Sequence, residues 1–184
     1  MTHRRHREDV LVRRTVTVET IPSGMPVELE AGQLAQITQA LGGSFTLLVE
    51  GQLMRLKGQD ADAIGKSPPE AIAVPADLHV DDLEPLVWQT LATCYDPEIP
   101  VNIVDLGLVY RLAFEPLEDA DKVRAVVDMT LTAPGCGMGE AIADEVCDKI
   151  LALPGVGEIT VNLVFDPPWD RSRMSEAAQL ALGL

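Results

Sequence analysis

The sequence lacks paired metal-ligand motifs. It has no Cys-x-x-Cys pair, no cysteine–histidine cluster and no His-Glu-x-x-His string, so a closed four-ligand zinc site within one chain has no usual ligand set. Cysteine itself is scarce. Cys94, Cys136 and Cys147 are odd in number and fall at no repeating interval, which speaks against a disulfide framework and fits reduced thiols in a cytosol. Basic residues are few as well: Lys plus Arg total 14 against 29 Asp plus Glu, a formal net charge of −15. That excludes an extended nucleic-acid surface, which rests on clustered Lys and Arg to displace counterions. No apolar stretch approaches the roughly 18 residues of a membrane span. The basic start Met1-Thr2-His3-Arg4-Arg5-His6-Arg7 is not followed by the apolar segment of a signal peptide. A soluble cytoplasmic protein is expected, with no nucleic-acid and no membrane partner.

What is present is globular. The 184 residues are 47% hydrophobic and 23% charged, enough for one ordinary domain or two small ones. Charge divides them: residues 1–76 hold 8 basic and 9 acidic side chains, whereas residues 77–184 hold 6 and 20. Residues 1–15 read as a flexible basic tail, because Arg4, Arg5, Arg7, Arg13 and Arg14 come with little apolar surface to offset the entropy of ordering. Residues 16–64 read as a small β-rich subdomain of short apolar runs: Val16 to Val18, Val27 to Leu29, Gln33 to Leu41, Phe45 to Val49 and Gln52 to Leu56. Glu50-Gly51 lies where a two-residue hairpin turn needs positive φ. Pro68, Pro69 and Pro75 make residues 65–79 a linker.

Residues 80–184 alternate between two periodicities. Leu83, Leu86, Val87, Leu91 and Cys94 fall three and four apart, predicting a helix from Val80 to Cys94 with Asp81, Asp82 and Glu84 at its positive end. Val109 to Phe114 and Val123 to Leu131 predict an antiparallel hairpin. A helix carrying Ile142, Val146, Ile150 and Leu153 leads to a strand from Ile159 to Phe165, a spacing that predicts a right-handed parallel crossover, and a short helix from Ser175 to Leu182 follows. The fold class is α+β: a C-terminal α-β-β-α-β-α domain with a small mixed sheet, preceded by the small β-rich subdomain.

Cys136 lies in a Gly-rich loop, Thr132-Ala133-Pro134-Gly135-Cys136-Gly137, at a strand–helix junction. Unpaired N–H groups and the positive dipole end favour a thiolate there, while the plainer reading is a small residue in a tight βα turn. Cys94 and Cys147 fall on apolar helix faces and are expected in the core. His79 is the one histidine outside the tail and the only candidate proton partner for Cys136. Asp96, Glu98 and Asp105 stand in an apolar setting. They serve either as caps of Pro and Gly turns or as oxygen partners for iron beside Cys136.

The strings Asp96-Pro97-Glu98-Ile99-Pro100-Val101-Asn102-Ile103-Val104-Asp105-Leu106-Gly107-Leu108, Thr130 to Cys136, Leu153-Pro154-Gly155-Val156 and Asp166-Pro167-Pro168-Trp169 resemble the SufT and PaaD group, shared with the eukaryotic cytosolic iron–sulfur targeting factors. Gln39-Ala40-Leu41-Gly42-Gly43 and Asp60-Ala61-Asp62-Ala63-Ile64-Gly65 resemble SufT in particular. The resemblance implies an auxiliary factor in iron–sulfur cluster assembly or transfer rather than an enzyme. It places the family's loop cysteine on Cys136 and its Asp-Leu-Gly aspartate on Asp105. Iron or a transient iron–sulfur cluster is the expected cofactor. Scaffold or carrier proteins, client apoproteins and a second copy of the chain are the expected partners. Gly137 departs from the family, which often has proline after the cysteine, and a more flexible loop is the expected result. Two alternatives stay open, a metal-free adaptor between scaffold and clients and a thiol redox enzyme.

Overall fold

A computed structural model describes residues 7–68, 72–74, 78–96, 99–118, 121–135 and 137–184. The chain divides into two compact units, Met1–Ala71 and Ile72–Leu184.

The first unit is a six-stranded antiparallel sheet of β1 (Glu8–Leu11), β2 (Val16–Thr20), β3 (Pro26–Leu29), β4 (Leu34–Leu41), β5 (Ser44–Val49) and β6 (Gln52–Lys57), in the order β1-β4-β5-β6-β2-β3. Alternation sets its inner face. In β2, Val16, Val18 and Thr20 are buried while Thr17 points out. The core they enter contains Val12, Leu29, Ile37, Leu47, Val49 and Leu56, and each fully buried Leu or Val contributes about 1.5–3 kcal/mol. β5 and β6 meet at Glu50 (φ 50°) and Gly51 (φ 86°), the two positive φ values of a turn whose twist matches the strands it joins.

The expected tail through residue 15 is corrected from Glu8 onward. Glu8–Leu11 pair with β4, Val12 is buried, and the Arg13 amide donates to the Ala63 carbonyl at 2.7 Å. Arg14 and Lys66 are paired rather than simply solvated. Arg14 grips Asp62 through Nε (2.7 Å) and Nη2 (2.7 Å) and reaches Asp60 at 2.8 Å, and Lys66 reaches Glu8 at 2.6 Å. Both acidic partners of Arg14 lie on the 3-10 segment Gly58–Ile64.

The second unit has the α-β-β-α-β-α order expected. α1 (Leu83–Leu91) buries Leu83, Leu86, Val87, Thr90 and Leu91. It is shorter than the Val80–Cys94 expected, because a 3-10 turn (Val80–Asp82) leads into it and its end tightens, the Cys94 amide donating to Leu91 at 3.0 Å. β7 (Val109–Pro116) and β8 (Val123–Met129) are antiparallel, and β9 (Val156–Leu163) returns parallel to β8 after α2 (Met138–Leu151). β9 starts earlier than expected because Val156 pairs with Val123. Val123, Ala125, Val127 and Met129 are buried on one sheet face. Arg124 on the other joins Glu115 and Glu158 across three strands. α3 (Glu176–Leu182) starts on Ser175, whose hydroxyl accepts the Ala178 amide at 3.1 Å.

Cys94 is fully buried as expected, its thiol donating to the Thr90 carbonyl at 3.8 Å. Cys147 is only half-buried, a correction: the inner face of α2 runs through Ile142, Val146 and Ile150, and Cys147 sits on its flank. Burial, and then Asp144 and Asp148, push its thiol pKa up. Among the described residues no helix is long and apolar enough to cross a membrane.

Candidate functional site

The loop from Tyr95 to Leu108 is organised by Asn102. Its side-chain oxygen accepts the amides of Val104 (3.0 Å) and Asp105 (2.9 Å), and its amide nitrogen donates to the Asp105 carboxylate at 2.7 Å. Asp96 accepts the Ile99 amide at 3.0 Å, and Tyr95 and Asn102 form an isolated antiparallel bridge. Val101, Ile103, Leu106 and Leu108 point inward and anchor the loop. Asp96 therefore does the capping work that a Pro-rich turn requires, whereas at Asp105 the cap is Asn102, and the Asp105 carboxylate in turn holds the Asn102 amide. Asp105 remains half-exposed.

Strings far apart in sequence converge on this loop. The Trp169 indole donates to the Leu106 carbonyl at 2.7 Å, the Ser175 amide to the Asp105 backbone carbonyl at 2.8 Å and the Thr130 amide to the Leu108 carbonyl at 2.8 Å. Tyr110 donates its hydroxyl to the Pro167 carbonyl at 2.9 Å, and the Arg173 guanidinium lies 4.5 Å from the centre of the Tyr110 ring. Gly107 adopts φ 71°, and a Cβ there would overlap the Arg173 carbonyl, so the backbones meet because residue 107 has no side chain. Gly107, Val109, Tyr110, Pro167 and Arg173 line an open groove of about 470 Å³.

Beyond β8, Thr130 is fully buried and its hydroxyl oxygen has no hydrogen-bond partner among the described residues. Thr132 is half-buried, and Pro134 and Gly135 are exposed. Gly135 takes φ 77° with open space where a Cβ would lie. Gly137 caps α2 with φ −61° and ψ −15°, and Met138 behind it is buried. Cys136 and Glu98 lie outside the described residues. His79 is exposed, its carbonyl accepting the Asp82 amide at 2.9 Å. Among the described residues no group of three or more His, Cys, Asp or Glu side chains is arranged to hold a metal ion.

Asn102, Tyr110 and Arg173 went unmarked in the sequence reading. An Asn three residues before an Asp in a Pro- and Gly-containing stretch is a legible turn signal. The approach of Arg173 to Tyr110 leaves no local trace.

The second unit is thus a small mixed sheet backed by helices, with loops converging on its Asp-Leu-Gly string. Residues 86–161 match the family described as iron–sulfur cluster assembly protein. Three curated relatives are similar. An Fe-S protein maturation auxiliary factor of Porphyromonas gingivalis strain W83 is 44% identical over 97 residues, 53% of this chain and 88% of the relative. The factor SufT of Staphylococcus aureus strain USA300 is 42% identical over 48% of this chain and 96% of its own length. The factor YitW of Bacillus subtilis strain 168 is 40% identical over 53% and 91%. The chain belongs to the iron–sulfur cluster assembly protein family and is of the SufT type. The family match falls wholly within the second unit and leaves Met1–Ala71 outside it.

Proposed function

We propose that this protein is a non-enzymatic, cytoplasmic auxiliary factor that passes iron or an iron–sulfur cluster, as cargo, to client apoproteins, with Cys136 as the thiolate that meets it. The observation that carries this reading is the convergence of the 102–108 loop and the 166–175 segment beside the strand end that leads to Cys136, in a chain of the iron–sulfur assembly family. Cys94 is sealed under α1 and Cys147 has a raised pKa, so neither competes as a thiolate. One thiol falls short of the four that a cluster takes, so holding is brief and borrows ligands from a second copy, glutathione or the client. Asp105, the aspartate of the family's Asp-Leu-Gly string, is the candidate oxygen partner. Anaerobic reconstitution with visible absorption and iron counting tests the reading: wild type retains iron and Cys136→Ala loses it together with client maturation. Equal iron and equal maturation in both proteins overturn it.

The metal-free adaptor is the second reading. It is favoured by the hydrogen bonds that hold Asp96 and Asp105 within their own loop. Its signature is full client maturation by Cys136→Ser.

A further inference from the structure

The acidic second unit contains cations without carboxylate partners. Arg111 pairs with Asp128 at 3.6 Å, Arg124 with Glu158 at 2.5 Å, and Lys149 with Glu145 at 2.7 Å. Arg171 and Arg173, on one exposed 3-10 turn, form no ion pair among the described residues. The nearest carboxylate in sequence, Asp170, is taken up by the Ser172 amide at 2.7 Å and by the Ser172 hydroxyl. The Ser172 hydrogen bonds and, to a smaller degree, the Arg173 charge hold the Asp170 carboxyl below its ordinary pKa; no ion pair joins Arg173 to it among the described residues, so both guanidiniums of this turn keep donors for an external anion.

Arg173 is also a wall of the 470 Å³ groove. A guanidinium held over a ring keeps its in-plane N–H donors for a carboxylate, and this one lies over Tyr110. The other walls are already fixed. Tyr110 is tied to the Pro167 carbonyl, and the chain at Gly107 lies directly against Arg173; Trp169, two residues beyond the wall at Pro167, is tied to the Leu106 carbonyl. Little ordering remains to oppose binding. Val109 and Pro167 add apolar surface, and the groove is open along one side, which suits a stretch of chain better than a small anion.

We propose that this groove docks an acidic segment of a partner protein, a side-chain carboxylate bridging to Arg173 while a neighbouring apolar side chain lies on Val109 and Pro167. The proposal needs no metal and is independent of the role of Cys136.

The test uses the full chain, metal-free, and a short fluorescein-labelled peptide alternating glutamate with leucine, with a lysine–leucine peptide and free glutamate as controls. Anisotropy is expected to show saturable, salt-sensitive binding of the acidic peptide alone. Amide shifts are expected at Gly107, Val109 and Tyr110. Arg173→Gln weakens binding roughly tenfold, as loss of a hydrogen bond between charged groups requires, Arg171→Gln weakens it less, and Arg173→Lys restores part of the loss. Equal binding of the lysine peptide, unchanged affinity in Arg173→Gln with an unaltered fold, or shifts confined to another surface overturn the proposal. Competition by free glutamate as strong as by the peptide overturns it in favour of a small-anion site.

Discussion

The indole nitrogen of Trp169 donates to the backbone carbonyl of Leu106 at 2.7 Å, joining two loops separated by 63 residues. Leu106 itself is buried, so this carbonyl has little access to water once the indole is gone. Trp169→Phe keeps an aromatic ring and removes the donor. The expected cost is about 1–2 kcal/mol, most of it the unsatisfied carbonyl. Both tryptophans, Trp88 and Trp169, lie in the second unit, so Trp88 fluorescence during urea unfolding follows that unit alone. An unchanged midpoint would remove this bond from the forces holding the loops together.

Gly107 and Gly135 have nearly the same backbone angle, φ 71° and 77°, and opposite surroundings. Alanine at 135 meets open space and incurs only the left-handed penalty, about 1 kcal/mol. Alanine at 107 incurs that penalty and also pushes against the Arg173 carbonyl, for a total of about 2–3 kcal/mol. Urea midpoints of the two variants measure the difference. Equal losses would mean that the 171–175 segment yields freely, and the tight approach at Gly107 would then have no energetic weight.

The second unit was legible because its periods change cleanly. Leu83, Leu86, Val87 and Leu91 step by three and four, and Val123, Ala125, Val127 and Met129 step by two; the inner faces of α1 and β8 are those residues. β1 was hidden for an equally physical reason. Its pairing strand begins at Leu34, and the groups that neutralise Arg14 and Glu8 sit at Asp60, Asp62 and Lys66, so nothing local offsets the look of a charged tail. The capping role of Asp96 could be read from the prolines around it, whereas the cap at Asp105 falls to Asn102. The Tyr110–Arg173 stack could not, since periodicity carries no information about which distant loops meet.

The Arg14 grip makes the attachment of the N-terminal strand sensitive to pH. The hydrogen bond from Arg14 holds the Asp62 carboxyl below its ordinary pKa. A depressed carboxylate contributes stability that is fully present above its unfolded value of about 4 and is lost as the pH falls through the lower folded value. Hydrogen exchange at Val10 and Val12 is therefore expected to lose protection below about pH 4, beyond the exchange rate's own pH dependence. Asp62→Asn should abolish that extra loss. Because the pair is exposed, added salt should reproduce part of the effect at neutral pH.

The three thiols should separate by reactivity. Cys94, sealed in the core, reacts with iodoacetamide only when the second unit opens. Cys147 is accessible in part, but burial and two neighbouring aspartates raise its pKa, so its alkylation rises at higher pH than that of an ordinary thiol. Mass spectrometry of partly labelled protein at neutral pH is expected to find Cys136 labelled first. Preferential labelling of Cys147 would show that α2 opens readily and would withdraw the argument that leaves Cys136 as the reactive thiol.

Proline at position 137 tests how the loop is held. Gly137 takes φ −61° and is exposed, an angle within the range that the proline ring imposes. Gly137→Pro therefore needs no change in that angle and removes freedom from the unfolded chain, with an expected gain of about 0.4–1 kcal/mol. Proline also drives its predecessor, Cys136, away from the helical region. A raised urea midpoint with unchanged iron retention would mean that Cys136 already adopts an extended backbone and that glycine gives the loop freedom it does not use. A raised midpoint with faster iron loss would mean that the thiol must swing to accept its cargo, and the glycine would then be the functional choice. A lowered midpoint would place Cys136 in a helical backbone, as the first residue of the turn leading into α2.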